Sequence, residues 1–207
     1  MRAILILAAV AGTAWGQYWY PRNTVSFGLG AGQPRADLAG PFEDSVGLTV
    51  AYGRRFHRYL QADVGLDTLF SAGRVRDYLP TASFGDLRIR DYQFLVPAGL
   101  RAILPIDRGR LLVSAGGGGV YLRYTELLRQ PGDDFRIDCT VCNSRHGLGY
   151  YGLLGVSVAV DRHRHYRIGV TSKVYQGHTD GDPLGLVPAL RTRDRWVNVF
   201  GELGLSF

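Results

Sequence analysis

The chain lacks any run approaching the ~20 apolar residues of a membrane-spanning helix, so a helical span is excluded. Strong helix formers rarely follow one another, and methionine occurs once, as Met1. Cysteine occurs twice, at Cys139 and Cys142. No His follows Cys142 directly, since position 143 is Asn, so covalent haem attachment is excluded. The tract Gly116 to Gly119 has no Lys-Ser/Thr after it, so it is not a phosphate cradle. What is abundant is glycine, 28 residues, and tyrosine, 12 residues. Together with frequent valine, these favour an all-β chain.

The first 16 residues have the layout of a secretory signal. Arg2 supplies the positive charge, Ala3 to Val10 the apolar run, and Ala14-Trp15-Gly16 a small-x-small cleavage site before Gln17. The expected organisation is therefore a signal at 1–16 and one domain at 17–207. Removing 16 of 207 residues leaves 191, with 23 Lys+Arg (24 minus Arg2) against 18 Asp+Glu, a formal charge of +5. Export directs this basic chain away from nucleic acid. A hydrophobic fraction of 46% resembles that of a water-soluble protein. Transmembrane barrels give the same average, because lipid-facing and lumen-facing residues alternate along each strand.

Eight alternating segments are readable: Asn23 to Gly32, Ser45 to Gly53, Leu60 to Phe70, Tyr92 to Leu104, Arg110 to Tyr124, Gly149 to Val160, Tyr166 to Gln176 and Arg195 to Phe207. Each sets an apolar face such as Val25, Phe27 and Leu29 against a small or polar one. In the fifth the glycine tract blurs the phase and predicts a kink or tight curvature. Most segments reach the ~9–11 residues that a tilted strand needs to cross a hydrocarbon layer. Their connections alternate strictly between long and short. The short ones are Arg54 to Tyr59, Pro105 to Gly109 and Asp161 to His165. The long ones are Gln33 to Asp44, Ser71 to Asp91, Thr125 to Leu148 and Gly177 to Asp194. One end of the sheet thus carries tight turns together with both chain ends, and the other carries loops.

Aromatic residues gather near both ends of the strands, where amphipathic rings prefer a membrane-water boundary. Tyr18, Trp19, Tyr20, Tyr52, Phe56, Tyr59, Tyr166 and Phe207 fall at the turn end. Tyr92, Phe94, Tyr124, Tyr150, Tyr175 and Trp196 fall at the loop end, and are expected to form the second girdle. A soluble eight-stranded barrel with scattered tyrosines is the competing architecture.

These features resemble the small OmpA/OmpX-type eight-stranded outer-membrane β-barrels. The resemblance rests on the export signal, the eight alternating segments, the loop asymmetry and the alternating strand that closes on Phe207. It implies an all-β, eight-stranded antiparallel up-and-down transmembrane β-barrel in a bacterial outer membrane. It also implies Phe207 as the mark read by the barrel assembly machinery, with membrane lipids as further partners. No peptidoglycan-binding domain is expected after Phe207.

With the apolar faces turned to lipid, Asp63, Asp67 and Glu202 point inward against Arg101, Arg167 and Lys173. A balanced polar network closing the lumen is expected, because an eight-stranded barrel is just wide enough for side chains to fill. A narrow ion path or gate is the alternative. Cys139 and Cys142, in an exported loop, are expected to form a disulfide. Zinc held by both cysteines with His146 and Asp138 is the competing reading. Ser144 with His146, and His178 with Asp180, are the pairs that a lipid-cleaving enzyme would need. Both fall in predicted loops, off the lipid-facing strands, so no enzyme and no cofactor are expected.

Two short turns are strongly basic, with Arg54, Arg55, His57 and Arg58 in one and Arg162, His163, Arg164 and His165 in the other. They could meet anionic headgroups. Apolar stretches at Tyr78 to Pro80 and Leu184 to Leu190 suit packing over the barrel mouth or an extracellular partner. The expected role is structural or surface-binding, carried by the long loops.

Overall fold

The computed structural model describes residues 21–39, 42–70, 79–81, 85–129, 142–182 and 191–207. The signal segment 1–16, Cys139 and Leu184 to Leu190 lie outside them, so the expected cleavage, disulfide and apolar loop do too. Among the described residues nine strands form: β1 (Asn23–Ala36), β2 (Ser45–His57), β3 (Leu60–Phe70), β4 (Leu79–Thr81), β5 (Gly85–Ile106), β6 (Leu111–Arg129), β7 (Cys142–Ala159), β8 (Tyr166–Gly181) and β9 (Thr192–Ser206). All pairings are antiparallel, in the order β3-β2-β1-β9-β8-β7-β6-β5-β4, and β3 also pairs with β5. That last pairing closes eight strands into a barrel. The short β4 stands outside the ring, as one arm of a hairpin with the start of β5.

Parity along each strand decides what is dry. The outward side chains are apolar and exposed, as at Phe27, Leu29, Val46, Leu154, Val170 and Leu203. The inward ones include Asp67 and Asn198 at 0% exposure and Lys173 at 2%. A water-soluble barrel would show the reverse, since apolar area left in water costs free energy.

Three short connections remain, at Arg58–Tyr59, Asp107–Arg110 and Val160–His165. The first is shorter than expected, because β2 runs on through Arg54, Arg55 and His57, which lie on the strand rather than in the turn. In the second, Asp107, Arg108 and Gly109 all take positive φ, of 46°, 51° and 85°. On the opposite side the strands outrun the alternating segments. β5 is 22 residues long and β6 is 19, and β7 begins at Cys142 rather than Gly149. In β7 the polar and small residues from Asn143 to Gly147 hide this continuation, because both faces there are hydrophilic or small.

The glycine tract of β6 pairs with β5 without a register break, within a ladder that runs from Leu111 to Arg129. One expectation is corrected. Tyr124, Tyr175 and Trp196 do not belong to the loop-end girdle. They share the inward parity of Glu126, Lys173 and Asn198 and are buried at 1%, 0% and 0% exposure. Tyr52, Phe56, Tyr150, Tyr166 and Phe207 are outward and exposed, as a girdle requires.

Candidate functional site

The lumen is filled in layers. At the turn end lies a polar cavity of about 70 Å3. Ser26, Gln61, Asp63, Arg101, Arg167 and Glu202 are among its walls. Asp63 accepts from Arg101 Nε at 2.6 Å and from Gln61 Nε2 at 2.6 Å. Arg167 reaches across to the second short turn and donates to the Gly109 carbonyl at 2.8 Å.

The next layer is a buried ion pair. Lys173 Nζ lies 2.7 Å from Asp67 Oδ1 and also donates to Thr49 Oγ1 at 3.0 Å. Asp67 further accepts from Thr49 at 2.6 Å and from the Tyr175 hydroxyl at 2.5 Å. The ammonium stands 5.3 Å from the centre of the Phe200 ring, within cation-π range. Three donors on one carboxylate and an aromatic face beside the cation are what an ion pair needs to persist away from water.

Above it the interior turns apolar. Leu69, Leu95, Val120, Leu122, Tyr124, Tyr151, Leu153, Tyr175 and Trp196 pack into one cluster. The β1–β2 connection adds Leu38 and Phe42, whose ring sits 5.7 Å from those of both Tyr124 and Trp196. Trp196 Nε1 donates to the Tyr124 hydroxyl at 3.1 Å.

The top layer is polar again. Arg145 donates to Thr179 Oγ1 at 3.0 Å and to Thr192 Oγ1 at 2.9 Å. Those hydroxyls in turn donate to Asp194, at 2.5 and 2.7 Å. Cation and carboxylate are thus joined through two threonines.

Of the six expected network residues, the structure pairs Asp63 with Arg101 and Asp67 with Lys173, and it sets Arg167 and Glu202 in one cavity. The Arg145–Asp194 layer is missed by the alternation pattern. Arg145 falls before the readable start of the β7 segment, and Asp194 before that of β9. Extending the parity of Tyr151 back to Arg145, and of Asn198 back to Asp194, would have found both.

A belt of glycines lets the wall curve tightly around this filling. A Cβ on Gly118 would stand 2.5 Å from the Gly99 Cα, and one on Gly99 would stand 2.8 Å from the Gly118 Cα. Neither neighbour can yield, because both are backbone. Gly118→Ala is therefore expected to lower barrel stability by about 1–3 kcal/mol, the usual size of overpacking. Denaturant titration of the folded barrel in lipid vesicles checks this.

Outside the lumen, Ser144 and His146 lie on β7, and His178 and Asp180 on β8, rather than in loops as expected. The strand extensions carry them. His146 and Asp180 stand opposite each other in the β7–β8 register. Ser144 binds through its backbone N–H, which donates to Asp182 at 3.2 Å. Among the described residues no hydrogen bond joins the Ser144 hydroxyl to either histidine. Asp138 and Cys139 of the alternative zinc set lie outside the described residues, as does the side chain of Cys142.

No protein-family model matches the chain, and no curated protein matches it in sequence. Solved structures do. Neisserial surface protein A superposes with a TM-score of 0.55 at 12% identity, covering 89% of this chain and 97% of that one. The attachment invasion locus protein Ail of Yersinia pestis reaches 0.45 at 10% identity, covering 89% and 99%. At such identity the first match speaks for the fold alone, and this chain has the fold of a closed eight-stranded antiparallel barrel.

Proposed function

We propose that this chain is an outer-membrane barrel of the OmpA/OmpX type, with a non-conducting lumen and a structural or surface-binding role exercised at its loop end. One observation carries the reading: a belt of exposed apolar side chains surrounds an interior closed by ion pairs and an aromatic plug. The belt suits acyl chains. Among the described residues the Asp67–Lys173 layer and the Trp196 cluster follow one another across the interior, which supports a closed lumen. Transport being blocked, the variable chemistry is left to the loops, which are carried beyond the membrane on the long β5, β6 and β7. Expected partners are the membrane lipids, the assembly machinery and an extracellular ligand at the loops. No cofactor is required.

Two measurements test this. Cell fractionation should place the protein with the outer membrane, as a band whose gel migration changes on heating. In planar bilayers the purified barrel should give no conductance steps. Steady ion conduction would instead support a narrow pore. Mass spectrometry of lipid A from expressing cells should show no altered acylation, and a change there would favour a lipid-modifying enzyme.

A further inference from the structure

We propose that the turn end of the lumen is a binding site for a phosphate-class oxyanion, held mainly by Arg55, Arg162, Arg164 and Arg167. A second cavity, of about 100 Å3, opens there and is walled by Pro21, Arg55, Arg162, His163, Arg164, Arg167 and Ser206. Among the described residues of this wall four are arginines, one is a histidine, and none is a carboxylate. This vestibule shares Arg55, Arg167 and Ser206 with the polar cavity beneath it.

The backbone of its wall is fixed by hydrogen bonds. Asp161 ties down the Arg162–His165 turn by accepting the backbone N–H of Tyr166 at 2.8 Å and of His165 at 3.1 Å. Slight desolvation raises this carboxyl, but those N–H donors outweigh it and hold the group below its ordinary value. The turn is also stitched to the end of β9. The His165 carbonyl accepts the Ser206 N–H at 2.7 Å, and the His165 ring nitrogen Nδ1 lies 2.8 Å from the Ser206 carbonyl. Arg164 turns the chain with φ of 64°. Arg167 is anchored from the opposite side by Gly109.

The acids nearby are committed or lie deeper. Asp161 is taken by the turn, Asp63 by Arg101, and Glu202 faces the inner cavity. An anion entering the vestibule therefore meets a wall that holds four arginines and, among the described residues, no carboxylate. Planar guanidinium forks match the oxygens of phosphate in pairs, and concave low-dielectric walls concentrate the field. Arg54, Arg58, Arg108 and Arg110 ring the same end and raise the local anion concentration. The vestibule lies inside the strand wall, which favours a phosphate presented from the aqueous side over a headgroup of the surrounding leaflet.

The test uses the full folded barrel in phosphatidylcholine nanodiscs, titrated with inorganic phosphate and with pyrophosphate by calorimetry and 31P line broadening. Saturable binding is expected. Arg162→Gln with Arg164→Gln should weaken it about tenfold or more, the size of a lost charge-assisted hydrogen bond. Arg193→Gln, on β9 at the opposite end of the barrel, should leave it unchanged. Heat-modifiable migration of each variant shows that it is folded. Nanodiscs containing phosphatidylglycerol separate the sources: unchanged phosphate binding assigns a soluble anion, and competition by the lipid assigns a headgroup. No saturable binding by the folded barrel, or binding indifferent to the double substitution, overturns the proposal. The site needs only the closed barrel and its turn end, so its failure would leave the non-conducting reading standing.

Discussion

Lys173→Met is expected to destabilise the folded barrel by about 3–5 kcal/mol, because it strands the Asp67 carboxylate in the middle of the lumen. Asp67 has 0% exposure. Without Lys173 its negative charge would rest on the hydroxyls of Thr49 and Tyr175 alone. Methionine preserves much of the lysine stem, so the loss reports charge rather than volume. The double variant Asp67→Asn with Lys173→Met should regain most of the deficit, since a neutral amide is far cheaper to bury than an unpaired ion. Reversible guanidinium unfolding in lipid vesicles measures both. If Lys173→Met cost no more than about 1 kcal/mol, as exposed pairs do, the layer would be hydrated and the lumen not closed there.

Trp196→Ala carries the second large effect, an expected loss of about 3–5 kcal/mol from the cavity it leaves. Trp196 is fully buried, meets Phe42 edge-on and donates to Tyr124. Its removal takes away the largest side chain of the plug and leaves the Tyr124 hydroxyl short of a donor. Conductance should nevertheless stay absent, because the Asp67–Lys173 layer lies on the turn side of the plug. The same unfolding assay, paired with planar-bilayer recording, separates the two layers. A Trp196→Ala barrel that conducts would mean that the apolar plug alone seals the lumen.

The barrel was readable because period-two alternation is a local property. Val25, Phe27 and Leu29 announce one face whatever their partners are, and the turns at Arg58–Tyr59 and Asp107–Arg110 announce themselves by brevity. Where both faces are polar or small, the signal fades. The β6 glycines gave no phase, and the structure resolves them into inward Gly116 and Gly118 and outward Gly117 and Gly119 along an unbroken ladder. Loop-side extensions such as Arg145 to Leu148 and Thr192 to Asp194 were hidden for the same reason. Inward charges at Asp63, Asp67, Arg101 and Lys173 could be named from parity. The partner each would find could not, because Asp67 and Lys173 sit on β3 and β8, far apart in the chain and across the lumen from each other.

The sequence by itself determined the eight strands of the ring, the side of each that is apolar, the asymmetry between turns and loops, and the excess of arginine at one end. These follow from residue spacing and local chain stiffness. Only the tertiary structure decided that Tyr124, Tyr175 and Trp196 form an interior plug, that Leu38 and Phe42 fold into it, and that Arg55 of β2, Arg162 and Arg164 of the third short turn and Arg167 of β8 share one mouth. Those outcomes depend on closure of β3 onto β5 and of β1 onto β9. Closure sets which distant side chains share the narrow interior, and no local pattern carries that information.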